Sequence, residues 1–273
     1  MGPGRLSGLT VEALSAAKAA DFRRYEAYTA LWPEDELEAL EATIGPIEKV
    51  MRPEVEQPET LFELARSSLV ALLIVGDPLQ ATTHVDLQLQ ADEAGIECQV
   101  YHGVSITTMI GAIGLSNYKF GRQTTLTYPY SGWVATSPLE VIAVNLHQNL
   151  HSLALLDLDP TGEGVGNQKP MTPTDAFNSL ELMWEKLSQT LEEISRKTAL
   201  ENMRFDACAA FLSHSFEDVL VVVCSDMGTV NQQITSTTIG GLKSCQGGRL
   251  NTLVFPANPS EVEEKALLRW YQG

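Results

Sequence analysis

Residues 69–78 read Leu69-Val70-Ala71-Leu72-Leu73-Ile74-Val75-Gly76-Asp77-Pro78. The apolar run is too short for a globular helix of ordinary length, and it stops at a glycine, an acid and a proline. It is expected to be a buried parallel strand feeding a turn. In that turn Gly76 would let a ligand approach the backbone, Asp77 offers a carboxylate to a ribose or an ammonium group, and Pro78 stiffens the chain. An aspartate at such a place also closes turns through its own backbone, and the residues alone leave both roles open.

Downstream of this stretch, Thr82, Thr83 and His84 start a helix that Gly95 closes. A second strand is expected at Glu97 to Tyr101, then a turn at His102-Gly103 and a helix from Ser105 to about Ile113. Strands alternating with helices, with loops gathered at one end, describe an open parallel sheet that binds ligands at its carboxyl edge. Upstream, Thr10 is placed to cap a helix carrying Val11, Leu14 and Ala17. Pro33 suits the first turn of a helix from Glu34 to Thr43 that Gly45-Pro46 stops, and a short helix covers Thr60 to Arg66. A nucleotide-binding unit has an apolar strand before its first glycine turn; here the sequence opens on Gly2-Pro3-Gly4, so a first strand is expected to be missing, through truncation or loss.

Asn117 to Arg122 is expected to connect to the second half, with the domains spanning 1–118 and 123–273. That half reads as a strand at Thr124 to Tyr128, a helix at Leu139 to Gln148, an apolar strand at Ser152 to Leu158 and a Gly-bearing loop over Pro160 to Pro170. Thr172, Pro173 and Asp175 then make a helix-start signal. Phe177, Leu180, Trp184, Leu187, Leu191 and Ile194 follow at three-to-four residue spacing, a stripe that belongs to a core. Strands at Val219 to Val223 and Thr252 to Phe255 bracket a segment of helical spacing over Gln232 to Leu242.

The 273 residues carry 18 basic and 35 acidic side chains, a formal charge of −17. Such a surface repels phosphate backbones and anionic headgroups, and no basic patch opposes it, so nucleic-acid and membrane-surface binding are not expected. The start has no basic stretch leading into an apolar core, and no run approaches the roughly 20 apolar residues of a membrane span. A cytoplasmic protein is the expectation. Cys98, Cys208, Cys224 and Cys245 have no close pairing and read as reduced thiols; His84, His102, His147, His151 and His214 are scattered, and no metal site is expected. Phosphate-binding, nucleophile-elbow and zinc-protease motifs are absent.

Three stretches together resemble diphthine synthase, a branch of the tetrapyrrole-methylase-like methyltransferases: Gly76 to Leu87 with its Thr82-Thr83-His84, His102 to Ile106, and Gly114 to Gly121 with Tyr118-Lys119-Phe120-Gly121. Weaker likeness runs through Leu9 to Leu14, His151 to Asp157 and Gly228 to Ile239. The resemblance implies an α/β, tetrapyrrole methylase-like two-domain fold, a parallel-sheet N-terminal domain and a mixed-sheet C-terminal domain, usually paired as a homodimer. It implies S-adenosyl-L-methionine as cofactor and methylation of the aminocarboxypropyl-histidine intermediate of translation elongation factor 2 in diphthamide biosynthesis.

Residue by residue, the resemblance puts Pro3, Asp77, Gln80, Ser105, Ile106, Leu156 and Met227 against the cofactor, with Asn251 where the family carries a histidine. No proton acceptor is named; His84 is the polar candidate nearest the cleft in sequence, and for it, as for His102, a cap or packing role is favoured over catalysis. Other departures are Ser225-Asp226 in place of an Ala-Arg pair, Asp159 in place of a lysine, and Pro256 to Ser260 in place of a Pro-Gly-x-Leu-His closure. A tetrapyrrole or other small-molecule methyltransferase, or a catalytically silent interaction protein that keeps the fold, are the competing readings.

Overall fold

The computed structural model describes residues 1–166 and 168–271. The chain divides into two units. The first comprises residues 1–109 together with 161–168 and 227–230, and the second comprises 110–160, 169–226 and 231–273.

In the N-terminal unit the order is α1 (Val11–Ala19), β1 (Phe22–Glu26), α2 (Glu34–Ile44), β2 (Glu48–Val50), α3 (Arg52–Glu56), α4 (Glu59–Ala65), β3 (Val70–Leu73), α5 (His84–Glu93) and α6 (Ile106–Met109). The three strands form a parallel sheet in the order β2-β1-β3. Thr10 caps α1 by accepting from the Ala13 amide, and Gly45 ends α2 at φ 100°, a conformation that costs glycine nothing. The core under the sheet is built on Tyr25, Ala27, Trp32, Leu40 and Leu73.

Strand β1 is the one the sequence hides. Its Phe22-Arg23-Arg24-Tyr25-Glu26 has no apolar run, because its polar residues are consumed locally. The Arg23 guanidinium donates to the carbonyls of Ala17, Lys18 and Ala20 at the end of α1, where helix carbonyls lack partners and positive charge is favoured. Arg24 lies beside Glu48 in the ladder and pairs with it at 2.8 Å. Residues 97–101, expected as a strand, pair with no neighbour among the described residues and are not one. A strand exists only through its ladder, and the β3 edge meets instead a single antiparallel bridge between Gly2 and Gly76.

The C-terminal unit contains β4 (Thr124–Leu126), α7 (Ser137–His147), β5 (Ser152–Leu156), α8 (Pro173–Thr190), α9 (Ala199–Leu212), β6 (Leu220–Ser225), β7 (Gln233–Thr238), β8 (Asn251–Phe255) and α10 (Glu261–Leu268). Its sheet runs β4-β5-β8-β6-β7, with β4 and β5 parallel and the remaining pairs antiparallel, a mixed sheet. Thr172 and Asp175 form a reciprocal capping box at the start of α8, worth about 1 kcal/mol. Phe177, Leu180 and Leu187 from that helix are buried against Val221, Val223, Leu253 and Phe255 of the sheet, with Trp184, Leu191 and Ile194 packed at the margin.

The helical reading of 232–242 is overturned: residues 233–238 are β7, paired along its whole length with β6. Gln233-Ile234-Thr235-Ser236-Thr237-Thr238 is rich in β-branched residues, which favour a pleated surface over a helix. Only its end, Gly240–Lys243, turns helically, as a short 3-10 segment.

The stretch expected as connector belongs to the C-terminal unit and is pinned there. Gly121 donates to the His151 carbonyl and His151 to that of Lys119. The Lys119 ammonium bonds the Asn258 carbonyl and pairs with Glu263 at 3.3 Å. Tyr118 is wholly exposed.

Candidate functional site

The carboxyl end of β3 leads into Gly76 and Asp77, and there three glycine-bearing loops of the N-terminal unit converge. Gly2 and Gly76 exchange both backbone hydrogen bonds, each 3.0 Å. Gly76 has φ 76°, and a Cβ on Gly103 would overlap the Gly76 carbonyl oxygen and come within 2.9 Å of the Gly2 nitrogen. Only glycines allow this approach, so Gly2, Gly76 and Gly103 are fixed by sterics. A fourth, Gly228 at φ 82°, faces Pro3, whose ring would be 2.5 Å from an added Cβ; Arg5 donates to its carbonyl.

Asp77 ties these loops together. One carboxylate oxygen accepts from the Leu79 amide at 2.9 Å; the other accepts from the Gly103 amide at 3.2 Å and from His102 Nδ1 at 2.8 Å. Burial alone pushes this carboxyl up, but the Leu79 amide, the His102 ring and the Gly103 amide outweigh it and hold Asp77 below its ordinary value. The residue therefore closes its own turn, as a local aspartate does, and also fixes the His102 loop, which the sequence did not indicate.

The other candidate residues divide between the units. Gln80 is exposed and accepts from the Thr107 hydroxyl at 3.2 Å. Ser105 is buried beside Gly76, Ile106 is half-buried, and Met227 is buried. Pro3, Asp77, Gln80, Ser105, Ile106 and Met227 thus all lie in the N-terminal unit, whereas Leu156 and Asn251 lie in the C-terminal one. Leu156 ends β5 as part of the core.

Asn251 has no hydrogen-bonding capacity left for a ligand. Its Oδ1 accepts from the Gly248 amide and the Ser225 hydroxyl, and its Nδ2 donates to the carbonyls of Met171 and Gly248, which fills both lone pairs and both donors of an amide. Asp226, at φ 47°, accepts from the amides of Arg249 and Leu250. The two departures from the family pattern are therefore built into one turn.

Among the described residues no cluster of His, Cys, Asp or Glu is arranged to hold a metal, and no helix is long and apolar enough to cross a membrane.

Comparison with known proteins decides between family readings. The model of the tetrapyrrole (corrin/porphyrin) methylases matches residues 1–161. Diphthine synthase of Halorubrum lacusprofundi is 31% identical over 271 residues, covering 95% of this chain and 90% of that protein. The chain belongs to the diphthine synthase family. Diphthine synthase of Methanothermobacter thermautotrophicus is 35% identical over 222 residues, covering 78% of this chain and 82% of its own length. That of Methanocorpusculum labreanum is 37% identical over 158 residues, and this match spans 63% of the relative, under two thirds. A crystal structure of diphthine synthase superposes with a TM-score of 0.77 at 25% identity, over 99% of this chain and 93% of that one. The two-domain α/β architecture with parallel and mixed sheets is the methylase fold.

By their chemistry the residues at the β3 edge suit the S-adenosyl-L-methionine that the resemblance implies. Gly76 and Gly103 leave backbone without Cβ at the ligand-binding edge of the sheet. The same unit carries apolar Ile106 and Met227, the exposed Gln80 amide and the fixed negative charge of Asp77.

Proposed function

We propose that this chain transfers methyl groups from S-adenosyl-L-methionine to the amine of the aminocarboxypropyl-histidine on translation elongation factor 2, giving diphthine. The observation that carries the reading is the interlock of Gly2, Gly76 and Gly103 around Asp77 at the carboxyl edge of the parallel sheet, within the residues 1–161 that match the tetrapyrrole methylases. Pro3, Asp77, Gln80, Ser105, Ile106 and Met227 hold the cofactor from the N-terminal unit, whereas Leu156 belongs to the core of the C-terminal one. Asn251, whose amide is spent on the protein, shapes the Asp226 turn rather than bonding a ligand.

The cofactor, when bound, supplies an activated methyl group. The protein's tasks are to align donor and amine, to exclude water, and to receive the proton the amine sheds. Asp77 contributes by holding the His102 loop at a fixed distance from the β3 turn. The reading places the protein in the cytoplasm as a homodimer, with the elongation factor as its partner.

The experiment is incubation with S-adenosylmethionine and elongation factor 2 carrying the aminocarboxypropyl intermediate, followed by intact mass. Stepwise gain of methyl masses on the modified histidine supports the reading; no gain beside an active family member refutes it.

A further inference from the structure

His84 opens α5, almost fully buried at 4% exposure. Its Nδ1 lies 2.7 Å from the Thr82 hydroxyl and 3.1 Å from the Pro78 carbonyl oxygen. A carbonyl can only accept, so the arrangement that satisfies both contacts puts the proton on Nδ1, shared between them, and leaves Nε2 a bare acceptor. That Nε2 is buried without a partner, and so is the hydroxyl of Tyr28, which is 6% exposed. Both residues line one cavity of about 20 Å3, with Glu56, Asp86 and Gln90 on its wall. Roughly 10–15 Å3 is enough for one water, provided polar groups receive it. An acceptor and a hydroxyl, neither otherwise engaged, are such groups.

The cavity sits on the functional side of the sheet. Tyr28 follows β1 by two residues, and His84 ends the same loop whose beginning carries Asp77, so both lie beyond the carboxyl ends of parallel strands. Burial, then Glu26 and Glu56, push the Tyr28 phenol well above its ordinary value, against the Arg52 guanidinium that lies 5.4 Å over its ring. Tyr28 is thus a donor at any working pH. Glu26 is occupied by the Tyr28 and Thr29 amides and the Thr29 hydroxyl, whereas Glu56 from α3 and Asp86 from α5 line the cavity.

We propose that Tyr28 and His84 hold one water between them, and that His84 takes through this water the proton the substrate amine must shed before it is methylated. The inference rests on the methyltransferase reading for its second half only. Tyr28 donates to the water oxygen, the water donates to His84 Nε2, and its remaining lone pair accepts the ammonium N–H. The N–H bond breaks and leaves its electron pair on nitrogen; that proton joins the water while a water proton bonds Nε2, giving imidazolium. The imidazolium returns its proton to solvent between transfers, and nothing is oxidised or reduced.

The test begins on the full chain without cofactor or substrate. Long-range 1H–15N spectra of the His84 ring should show the Nδ1–H tautomer with an unprotonated Nε2; an Nε2–H tautomer would overturn the proposal. Because this readout needs no turnover, it separates failure of the water site from failure of the methyltransferase reading. With elongation factor as substrate, His84→Gln should lower kcat/KM about 100-fold and abolish the acidic limb of its pH profile. Tyr28→Phe should lower it about tenfold while keeping that limb. Should His84→Gln fail to fold, Tyr28→Phe still decides: wild-type kcat/KM in that variant contradicts the proposal.

Discussion

Gly2 and Gly76 exchange two backbone hydrogen bonds of 3.0 Å, each donating to the other. Through them the first turn of the chain is fixed to the turn that follows β3, and Gly103 closes on the same atoms. A ligand bound at this edge meets loops already held in place, so little ordering remains to be done on binding.

The sharpest steric consequence falls on Gly103. Replacement by alanine drives a methyl into the Gly76 carbonyl oxygen, and the loops must part. Gly103→Ala is expected to destabilise the protein by about 2–3 kcal/mol and to weaken S-adenosylmethionine binding in calorimetry. Gly95→Ala makes a suitable contrast: its added Cβ meets nothing within 4 Å, so its cost reports only strain at φ 70°.

Asp77→Asn tests the carboxylate that organises the site. An amide nitrogen in place of one oxygen faces either the Leu79 amide or the His102 ring and Gly103 amide, all donors to Asp77. Cofactor affinity is expected to fall by about tenfold or more. Because the folded carboxyl is depressed, its contribution to stability is present above the unfolded value, about 4, and is lost as pH falls through the lower folded value. Acid titration of Tm in wild type and variant checks both statements; equal curves would exclude the effect.

In the C-terminal unit, His151 is completely buried, accepts from the Ala257 amide at Nδ1 and lies 3.0 Å from Glu263 through Nε2. Nδ1 as acceptor makes Nε2 the donor, so the ring is neutral. Burial lowers its affinity for a proton, and although Glu263 opposes this the folded value stays below the ordinary one. The unfolded chain therefore binds this proton first. Stability is full above about pH 6.5 and declines below it, by at most about 1.4 kcal/mol per pH unit from this residue. Urea melts between pH 5 and 7.5 should show the decline in wild type and not in a His151→Gln variant.

Glu263 itself accepts from the amides of Ser116 and Ser260 and meets Lys119 and His151. Burial raises its carboxyl, but these partners more than reverse that and hold it far below the ordinary range. Glu263→Gln is expected to cost about 3 kcal/mol. Exposed Glu261, which pairs with Lys265 one turn on, should cost under about 0.5 kcal/mol on the same change. Chemical denaturation distinguishes the two.

How far the sequence discloses this depends on where each residue finds its partners. The Thr10 cap, the Thr172-Pro173-Asp175 start and the stripe from Phe177 are local patterns, and the structure has them; the run ending at Val75 is a parallel strand, but half-buried at the sheet edge rather than buried. Strand β1 escaped because Arg23 and Arg24 answer to α1 and to Glu48, partners a periodicity count does not see. Strand β7 reads as a helix on spacing alone, against its threonines, and residues 97–101 read as a strand because composition cannot report a missing neighbour. At the site, Gly76 and Asp77 were legible from their position after the strand. The His102 link, the overlap at Gly103 and the satisfied amide of Asn251 depend on contacts distant in sequence.

Intact-mass measurement of elongation factor 2 decides whether methyl groups reach its modified histidine. After incubation with this chain and S-adenosylmethionine, stepwise methyl additions are expected on the aminocarboxypropyl-histidine, and none on elongation factor lacking that group. An unchanged mass, with a diphthine synthase active on the same preparation, would contradict it.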